Sequence, residues 1–272
     1  MTGIFSNILL ITDLDGTLLP HSKIISDTDI KNIKSFTDNG GHFSIATGRP
    51  FQSAEKYLEV LSVNAPAILY NGSCIFDSKS DKSNWCRYLN KNSRELISDV
   101  LKRFPEASAE ILTADNVYAI QINDTERYHM SITNNIAVES TLENVGDKWL
   151  KALFAMEPER INELIDYIDK EKYKDISFVQ SCRFFYEMLP QNISKGYALK
   201  ILKEQFGYKD YTIVAVGDYD NDIEMLGYAD ISFATANAND NVKKIVDFVL
   251  EESCEDNAIS AVIKYINTHL AK

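Results

Sequence analysis

Two aspartates near the start of the chain carry carboxylates, side chains that can bind hard metal ions or exchange protons. Asp13 and Asp15 directly follow the apolar run from Ile8 to Thr12, and Gly16 then lets the chain turn away. A continuous apolar run of this kind is typical of a parallel strand buried on both faces. Both carboxylates are therefore expected at a strand end, although ordinary acidic turns have the same spacing.

Two further groups suit the binding of an anion. Thr47, Gly48 and Arg49 follow a predicted strand, and a hydroxyl with backbone N–H groups at a strand-to-helix turn can cradle a phosphate, which a guanidinium also binds. Lys195 stands at the start of a predicted helix, where its charge opposes the helix dipole. Each has an ordinary alternative: a helix cap with an exposed arginine, and a solvated surface lysine.

A second acidic group follows the predicted strand from Thr212 to Val216. It contains Asp218, Asn221 and Asp222, and helix capping is an alternative explanation for its carboxylates. In open α/β sheets, ligands bind outside the carboxyl ends of the strands. All four polar groups are therefore expected to converge on one crevice.

The elements that would position these groups alternate along both ends of the chain. Apolar runs at residues 8–12, 42–46, 67–70 and 212–216 predict strands, with helices between them. This alternation predicts an α/β fold with a doubly wound, parallel, Rossmann-like sheet. The middle differs, because its strand candidates come in pairs at 108–113 with 116–122 and at 176–181 with 184–189.

Paired strands between helix-like stretches predict an inserted, antiparallel α+β domain. The polar stretch from Ser78 to Asn84 is interpreted as a linker into it. The predicted plan is a discontinuous core domain of residues 1–83 and 190–272, interrupted by a cap domain of residues 84–189.

The four groups together resemble the motifs of the haloacid dehalogenase-like hydrolases. The strings are DLDGTLL from Asp13, TGR from Thr47, Lys195, and GDYDNDIEML from Gly217, in the order that the family has them. Asn71-Gly72 and the position of the insert are similar to the Cof-type phosphatase branch with its C2B cap. The string from Phe233 to Ala238 departs from the family pattern, which leaves details of the site rim open.

The resemblance implies a Mg²⁺-dependent phosphatase acting on small phosphorylated metabolites, with sugar phosphates favoured. It implies that Asp13 is the nucleophile, that Asp15 is the general acid and base, and that Mg²⁺ is held by Asp13, Asp15, Asp218 and Asp222. Phosphate binding is implied for Thr47, Gly48, Arg49, Lys195 and Asn221. The alternatives are a sugar phosphomutase and, from another class, a non-catalytic phosphosugar-binding module.

The amino-acid composition limits the classes of partner that the protein could bind. Twenty-eight lysines and arginines against 40 aspartates and glutamates give a formal charge of −12, which disfavours nucleic acid and anionic membrane as partners. No apolar run approaches the ~20 residues of a transmembrane helix, and no signal peptide is expected. The widely spaced Cys74, Cys86, Cys182 and Cys254 indicate reduced thiols and a cytoplasmic protein, expected as a monomer or small homo-oligomer.

Overall fold

The computed structural model describes residues 3–77, 82–133, 137–168 and 172–271, and the chain divides into two compact units. The core unit comprises Met1–Gly48, Glu55–Trp85 and Ser194–Lys272, and the cap unit comprises Arg49–Ala54 and Cys86–Ile193. The predicted domain boundaries at residues 83/84 and 189/190 stay a prediction. Within the described residues, no helix is long and apolar enough to cross a membrane.

The core unit is built on a parallel sheet of five strands in the order β14-β13-β12-β1-β2. Leu9 and Ile11 pack into an apolar cluster with residues of the helices Lys195–Gln205 and Ile223–Tyr228, whereas Phe233 packs against Tyr265 of the helix Ala258–His269. Neighbouring Ala234 belongs to the first cluster, so helices cover both faces of the sheet. The strands are β1 (Ile8–Thr12), β2 (His42–Ile45), β12 (Thr212–Gly217), β13 (Ile231–Ala234) and β14 (Phe248–Val249).

Local signals account for the helix ends. Ser26 caps α1 by accepting a 3.0 Å hydrogen bond from the backbone N–H of Asp29, and Ser194 caps α6 in the same way through Tyr197. Asp29 is buried and accepts from Ser260 on α9, which joins the two helices. The core-unit helices are α1 (Asp27–Asp38), α6 (Lys195–Gln205), α7 (Ile223–Tyr228), α8 (Asp240–Lys243) and α9 (Ala258–His269), with α2 (Phe51–Val60) spanning both units.

The predicted third core strand belongs to a different sheet. β3 (Ala67–Leu69) pairs antiparallel with β4 (Cys74–Asp77) in a three-stranded sheet completed by β5 (Lys82–Cys86), and meets the parallel sheet through a bridge between Ala46 and Ile68. The interpretation of Ser78 to Asn84 as a linker is therefore wrong for residues 82–84, which begin β5; Ser78 to Asp81 lie outside the described residues. Backbone pairing overrode the polar composition there.

The cap unit is a six-stranded sheet, antiparallel except for its β7–β8 pair, in the order β10-β11-β9-β6-β7-β8. One sheet face packs with its helices into an apolar core that includes Ile111, Phe154 and Leu164. The α/β fold class with an inserted cap is confirmed. The cap elements are α3 (Asn92–Arg103), β6 (Ser108–Leu112), β7 (Val117–Ile120), α4 (Asp124–Thr133), β8 (Val138–Glu139), β9 (Lys151–Ala155), α5 (Ile161–Tyr167), β10 (Ile176–Cys182) and β11 (Phe185–Pro190).

Candidate active site

Two acidic groups meet because their strands are neighbours in a parallel sheet. β1 and β12 pair with Thr12 opposite Val216, and the backbone N–H of Asp13 donates to the Val216 carbonyl at 3.0 Å. Asp218 is the first residue after β12, so both aspartates lie at the carboxyl ends of neighbouring strands. Parallel pairing places the carboxyl ends of the strands together, so these two acidic groups lie close to each other, as the sequence predicted.

Lys195 is the centre of this acidic cluster. Its side chain is 1% exposed, and its Nζ lies 2.6 Å from Asp13 Oδ1 and 2.7 Å from Asp222 Oδ1. The surface-lysine alternative is therefore wrong for this residue. A buried ammonium between two carboxylates has its charge offset and its orientation set by both partners.

Burial and mutual repulsion disfavour the charged forms of two carboxyl groups in this cluster. Burial raises the pKa of Asp13 well above its ordinary value, and the pull of Lys195 only partly offsets this. Burial, with repulsion from Asp222, raises the pKa of Asp218 to about 7. Burial alone would lower the pKa of Lys195, but Asp13 and Asp222 together raise it.

The cluster has the donor set of a divalent-cation site. Asp13, Asp218 and Asp222 each offer a carboxylate oxygen, and these atoms lie within 4.8 Å of one another. Hard divalent cations prefer oxygen ligands of this kind, and one lysine does not balance three carboxylates. The residues present therefore fit a divalent metal ion.

Hydrogen bonds from the backbone and from Thr17 orient the acidic side chains. Thr17 Oγ1 donates to Asp218 Oδ1 at 2.8 Å. Asp222 Oδ2 accepts from the backbone N–H groups of Asp218 at 3.0 Å and of Tyr219 at 3.2 Å. Asp222 thus supports the loop that carries Asp218 and also pairs with Lys195. The sequence alone had left open whether Asp222 caps a helix or binds a metal ion.

Asp15 has a second lysine, Lys23, as an ion-pair partner. Its Oδ1 lies 2.6 Å from Lys23 Nζ, and the two side chains are 38% and 34% exposed. The carboxyl of Asp15 is therefore the more solvent-accessible of the first pair, while Asp13 is only 6% exposed. The two aspartates, two residues apart, have different charge partners and different access to water.

The predicted phosphate-binding residues are partly brought together. Thr47 is buried, its N–H donates to the Ile68 carbonyl at 2.9 Å, and its own carbonyl accepts from Asn71 N–H at 3.0 Å. Asn221 Nδ2 donates to Asn71 Oδ1 at 3.2 Å, and the Gly48 backbone passes close to the same side chain.

Arg49 is buried and falls among the residues of the cap unit, so the alternative of an exposed arginine is wrong.

Several supporting residues were missed from the sequence. Lys23 gave no signal, because a lone lysine in a loop has no recognisable pattern. Asn237 Nδ2 donates to the Gly16 carbonyl at 2.7 Å, and it lies in the string that departs from the family pattern. Thr17 stands inside the first acidic motif, which could have indicated its contact with Asp218.

A buried lysine among carboxylates at the carboxyl ends of parallel strands, in a core unit with an inserted cap, is typical of one class of hydrolase. The family model described as haloacid dehalogenase-like hydrolase matches residues 10–263, and the chain belongs to this family. A relative, 5-amino-6-(5-phospho-D-ribitylamino)uracil phosphatase YitU of Bacillus subtilis, is 27% identical over 95% of this chain and 97% of its own length. The chain is therefore a phosphatase of the family, a phosphoric monoester hydrolase.

Solved structures share the fold. A haloacid dehalogenase-like hydrolase from Bacteroides thetaiotaomicron has a TM-score of 0.85 at 21% identity, covering 95% of this chain and 99% of that one. A HAD subclass IIB sugar phosphatase has a TM-score of 0.81 at 18% identity, covering 96% and 99%. At these identities the likeness concerns the fold.

Proposed function

We propose that the protein is a Mg²⁺-dependent phosphatase that hydrolyses small phosphorylated metabolites through an aspartyl-phosphate intermediate. The observation that carries this proposal is the buried cluster of Lys195 with Asp13 and Asp222, beside Asp218. The proposal is supported by a buried carboxylate, a lysine ammonium and oxygen donors suited to a divalent metal ion, which lie together at the carboxyl ends of two neighbouring strands. This combination suits a phosphoryl group, because an anionic ester would otherwise be repelled by the carboxylates.

Asp13 is assigned as the nucleophile and Lys195 as the residue that orients it. A carboxylate oxygen of Asp13 attacks phosphorus, an Asp13–phosphorus bond forms, and the bond from phosphorus to the leaving oxygen breaks. Lys195 holds Asp13 at 2.6 Å and attracts the phosphoryl oxygens as charge develops. Thr47, Gly48, Arg49 and Asn221 are proposed to bind the same oxygens.

Asp15 is assigned as the general acid and base. Its carboxyl gives a proton to the leaving alkoxide, then removes one from the water that attacks phosphorus and breaks the bond to Asp13. Its greater exposure than Asp13 suits exchange with water and leaving group. Mg²⁺, held by Asp13, Asp218, Asp222 and the Asp15 backbone carbonyl, would neutralise carboxylate charge and polarise the phosphoryl oxygens.

Sugar or polyol phosphates are the proposed substrate class, with the cap of residues 84–189 reading the leaving group. The support is the relative YitU, whose name specifies a phosphoribityl compound. The formal net charge of −12 disfavours nucleic acid and anionic membrane as partners, so neither is proposed. A cytoplasmic monomer or small homo-oligomer is proposed with it.

Phosphate release from a panel of hexose, pentose and ribityl phosphates, with Mg²⁺ or EDTA, tests the function. We expect release that needs Mg²⁺ and is lost by at least 10³-fold in Asp13→Asn, which removes the nucleophile and keeps side-chain volume. Asp38→Asn, on the surface of α1, is the matched control and should keep the wild-type rate.

Two other results would reject the phosphatase. An isomerised sugar phosphate formed without release of inorganic phosphate would indicate a phosphomutase. Saturable binding of sugar phosphates with no turnover, unchanged in Asp13→Asn, would indicate a binding module.

A further inference from the structure

Lys23 makes an ion pair that stability alone does not explain. Its Nζ lies 2.6 Å from Asp15 Oδ1, and both side chains are about one third exposed, at 34% and 38%. Ion pairs exposed to this degree contribute little to the free energy of unfolding. The Lys23 backbone has a φ of +58°, in the left-handed region, which is unfavourable for a residue with a side chain. The two terms offset each other, so the pair brings little net stability.

The loop that carries Lys23 is nevertheless held at several points. The Lys23 N–H donates to the Pro20 carbonyl at 3.0 Å, and Tyr57 Oη reaches the Lys23 carbonyl at 3.5 Å. Two residues earlier, His21 N–H donates to Glu255 Oε1 at 2.8 Å, and the His21 ring contacts the same oxygen. An unusual backbone conformation with contacts on both sides presents the ammonium to Asp15.

We propose that Lys23 is a positioning residue for Asp15, and that it confines the Asp15 carboxyl to the orientation from which it exchanges a proton with the leaving oxygen. The inference rests on the proposed function, since it concerns the general acid and base of that reaction. Proton transfer requires the carboxyl within hydrogen-bond reach of the reacting oxygen. A side chain that is more than one third exposed has other rotamers open to it, and a partner at 2.6 Å restricts them.

Substrates differ in how far their leaving group must be protonated as it departs, and this difference tests the role of Lys23. The p-nitrophenolate ion departs without protonation, whereas the alkoxide of ribitol 5-phosphate requires it. In single-turnover experiments, which follow only the transfer of the phosphoryl group to Asp13, we expect Lys23→Met to slow the reaction of ribitol 5-phosphate by about 10- to 100-fold, because general acid–base catalysis contributes 10²–10⁴-fold. The single-turnover rate with p-nitrophenyl phosphate should fall less than threefold. Steady-state kcat does not separate the substrates in this way, because Asp15 is also the base for the later attack of water with both of them. Lys23→Arg should restore most of the rate.

A double-mutant cycle distinguishes positioning from a structural effect. In an Asp15→Asn background, Lys23→Met should cause no further loss with ribitol 5-phosphate, since the group it acts through is gone. Lys203→Met is the matched control: Lys203 pairs with Asp230 at 3.1 Å, remote in sequence from Asp15, and its loss should leave both rates unchanged. Thermal unfolding in EDTA shows whether each variant stays folded.

Equal losses in the single-turnover rate for the two substrates, or additive effects of Lys23→Met and Asp15→Asn, would overturn the positioning role. If Lys23→Met does not fold, Lys23→Arg decides instead. A folded Lys23→Arg protein that is equally impaired for both substrates would also overturn the positioning role. If wild-type protein releases phosphate and Lys23→Met matches it, only this inference fails. If the wild type releases phosphate from no compound of the panel, with or without Mg²⁺, the proposed function fails, and this inference fails with it.

Discussion

At the scale of single residues, chemistry depends on how each carboxylate is solvated and paired. Asp13 is buried against Lys195, Asp15 is partly exposed beside Lys23, and Asp218 accepts from Thr17. Residue type is identical in all three cases. The differences in accessibility and in hydrogen-bond and ion-pair partners come from the surroundings, so three aspartates can take three proposed roles.

The raised pKa of Asp218 predicts how the metal-free protein responds to pH. Between the ordinary aspartate pKa near 4 and the folded value of about 7, the folded state holds a proton that the unfolded state has lost. The free energy of unfolding therefore falls as pH rises through this window, and the effect levels off above it. Between pH 5 and 8 the free energy of unfolding of Asp218→Asn should fall by roughly 2 kcal/mol less than that of the wild type.

Urea unfolding in EDTA at pH 5, 6, 7 and 8 measures this difference. Asp38→Asn is the control, because Asp38 is an exposed aspartate in the helical pair with Lys34. Parallel pH profiles for wild type and Asp218→Asn would contradict the predicted contribution of Asp218.

At the scale of elements, the turn after β3 sets the start of α6. Gly72 has a φ of +103°, and a Cβ added there would lie 2.1 Å from the carbonyl oxygen of Ser194, the residue before Lys195. The turn and the helix must therefore shift apart if this position carries a side chain. Such a shift moves the ammonium that holds Asp13.

Gly72→Ala is expected to lower kcat by 10-fold or more, since displacements near 1 Å at a catalytic centre can cost 10²-fold. The matched control is Gly207→Ala, which has a φ of +89° but no atom within 4 Å of an added Cβ. Both variants carry backbone strain, and only Gly72→Ala moves Lys195. Phosphate release and urea unfolding together separate the effects; equal kcat for the two variants would disprove the link between turn and site.

At the scale of the whole molecule, the metal donors come from distant parts of the chain. Asp13 lies near the start, and Asp218 and Asp222 lie beyond the cap insert, so only the folded core unit assembles all three. A cation that binds the folded state alone must therefore stabilise the protein. The formal charge of −12 adds a general attraction for cations, which weakens as salt is added.

Mg²⁺ at 100 times its dissociation constant should raise the free energy of unfolding by about 2.7 kcal/mol, and Tm by roughly 5–10 °C. Asp218→Asn should lose most of this shift, and Asp38→Asn should keep it. Thermal unfolding in 100 mM KCl, with EDTA or with MgCl₂, measures the shift. A rise in Tm of equal size in Asp218→Asn would place the bound cation elsewhere.

The sequence was sufficient for the α/β class, the inserted cap and the family, all of which are confirmed. It failed locally where polar residues 82–84 pair as β5 and where the third strand joined a separate sheet, because strand pairing depends on neighbours distant in sequence. The roles of the predicted site residues stay predictions.

The sequence by itself determined which residues stand at strand ends, because apolar runs and the polar residues that follow them are local properties of the chain. Only the tertiary structure decided which side chains meet. Lys195 reaches Asp13 across 182 residues, Asp15 turns instead to Lys23, and Arg49 is buried. The physical reason is that burial and pairing depend on how strands and helices pack, and a lysine in the sequence looks the same whether it faces water or a carboxylate.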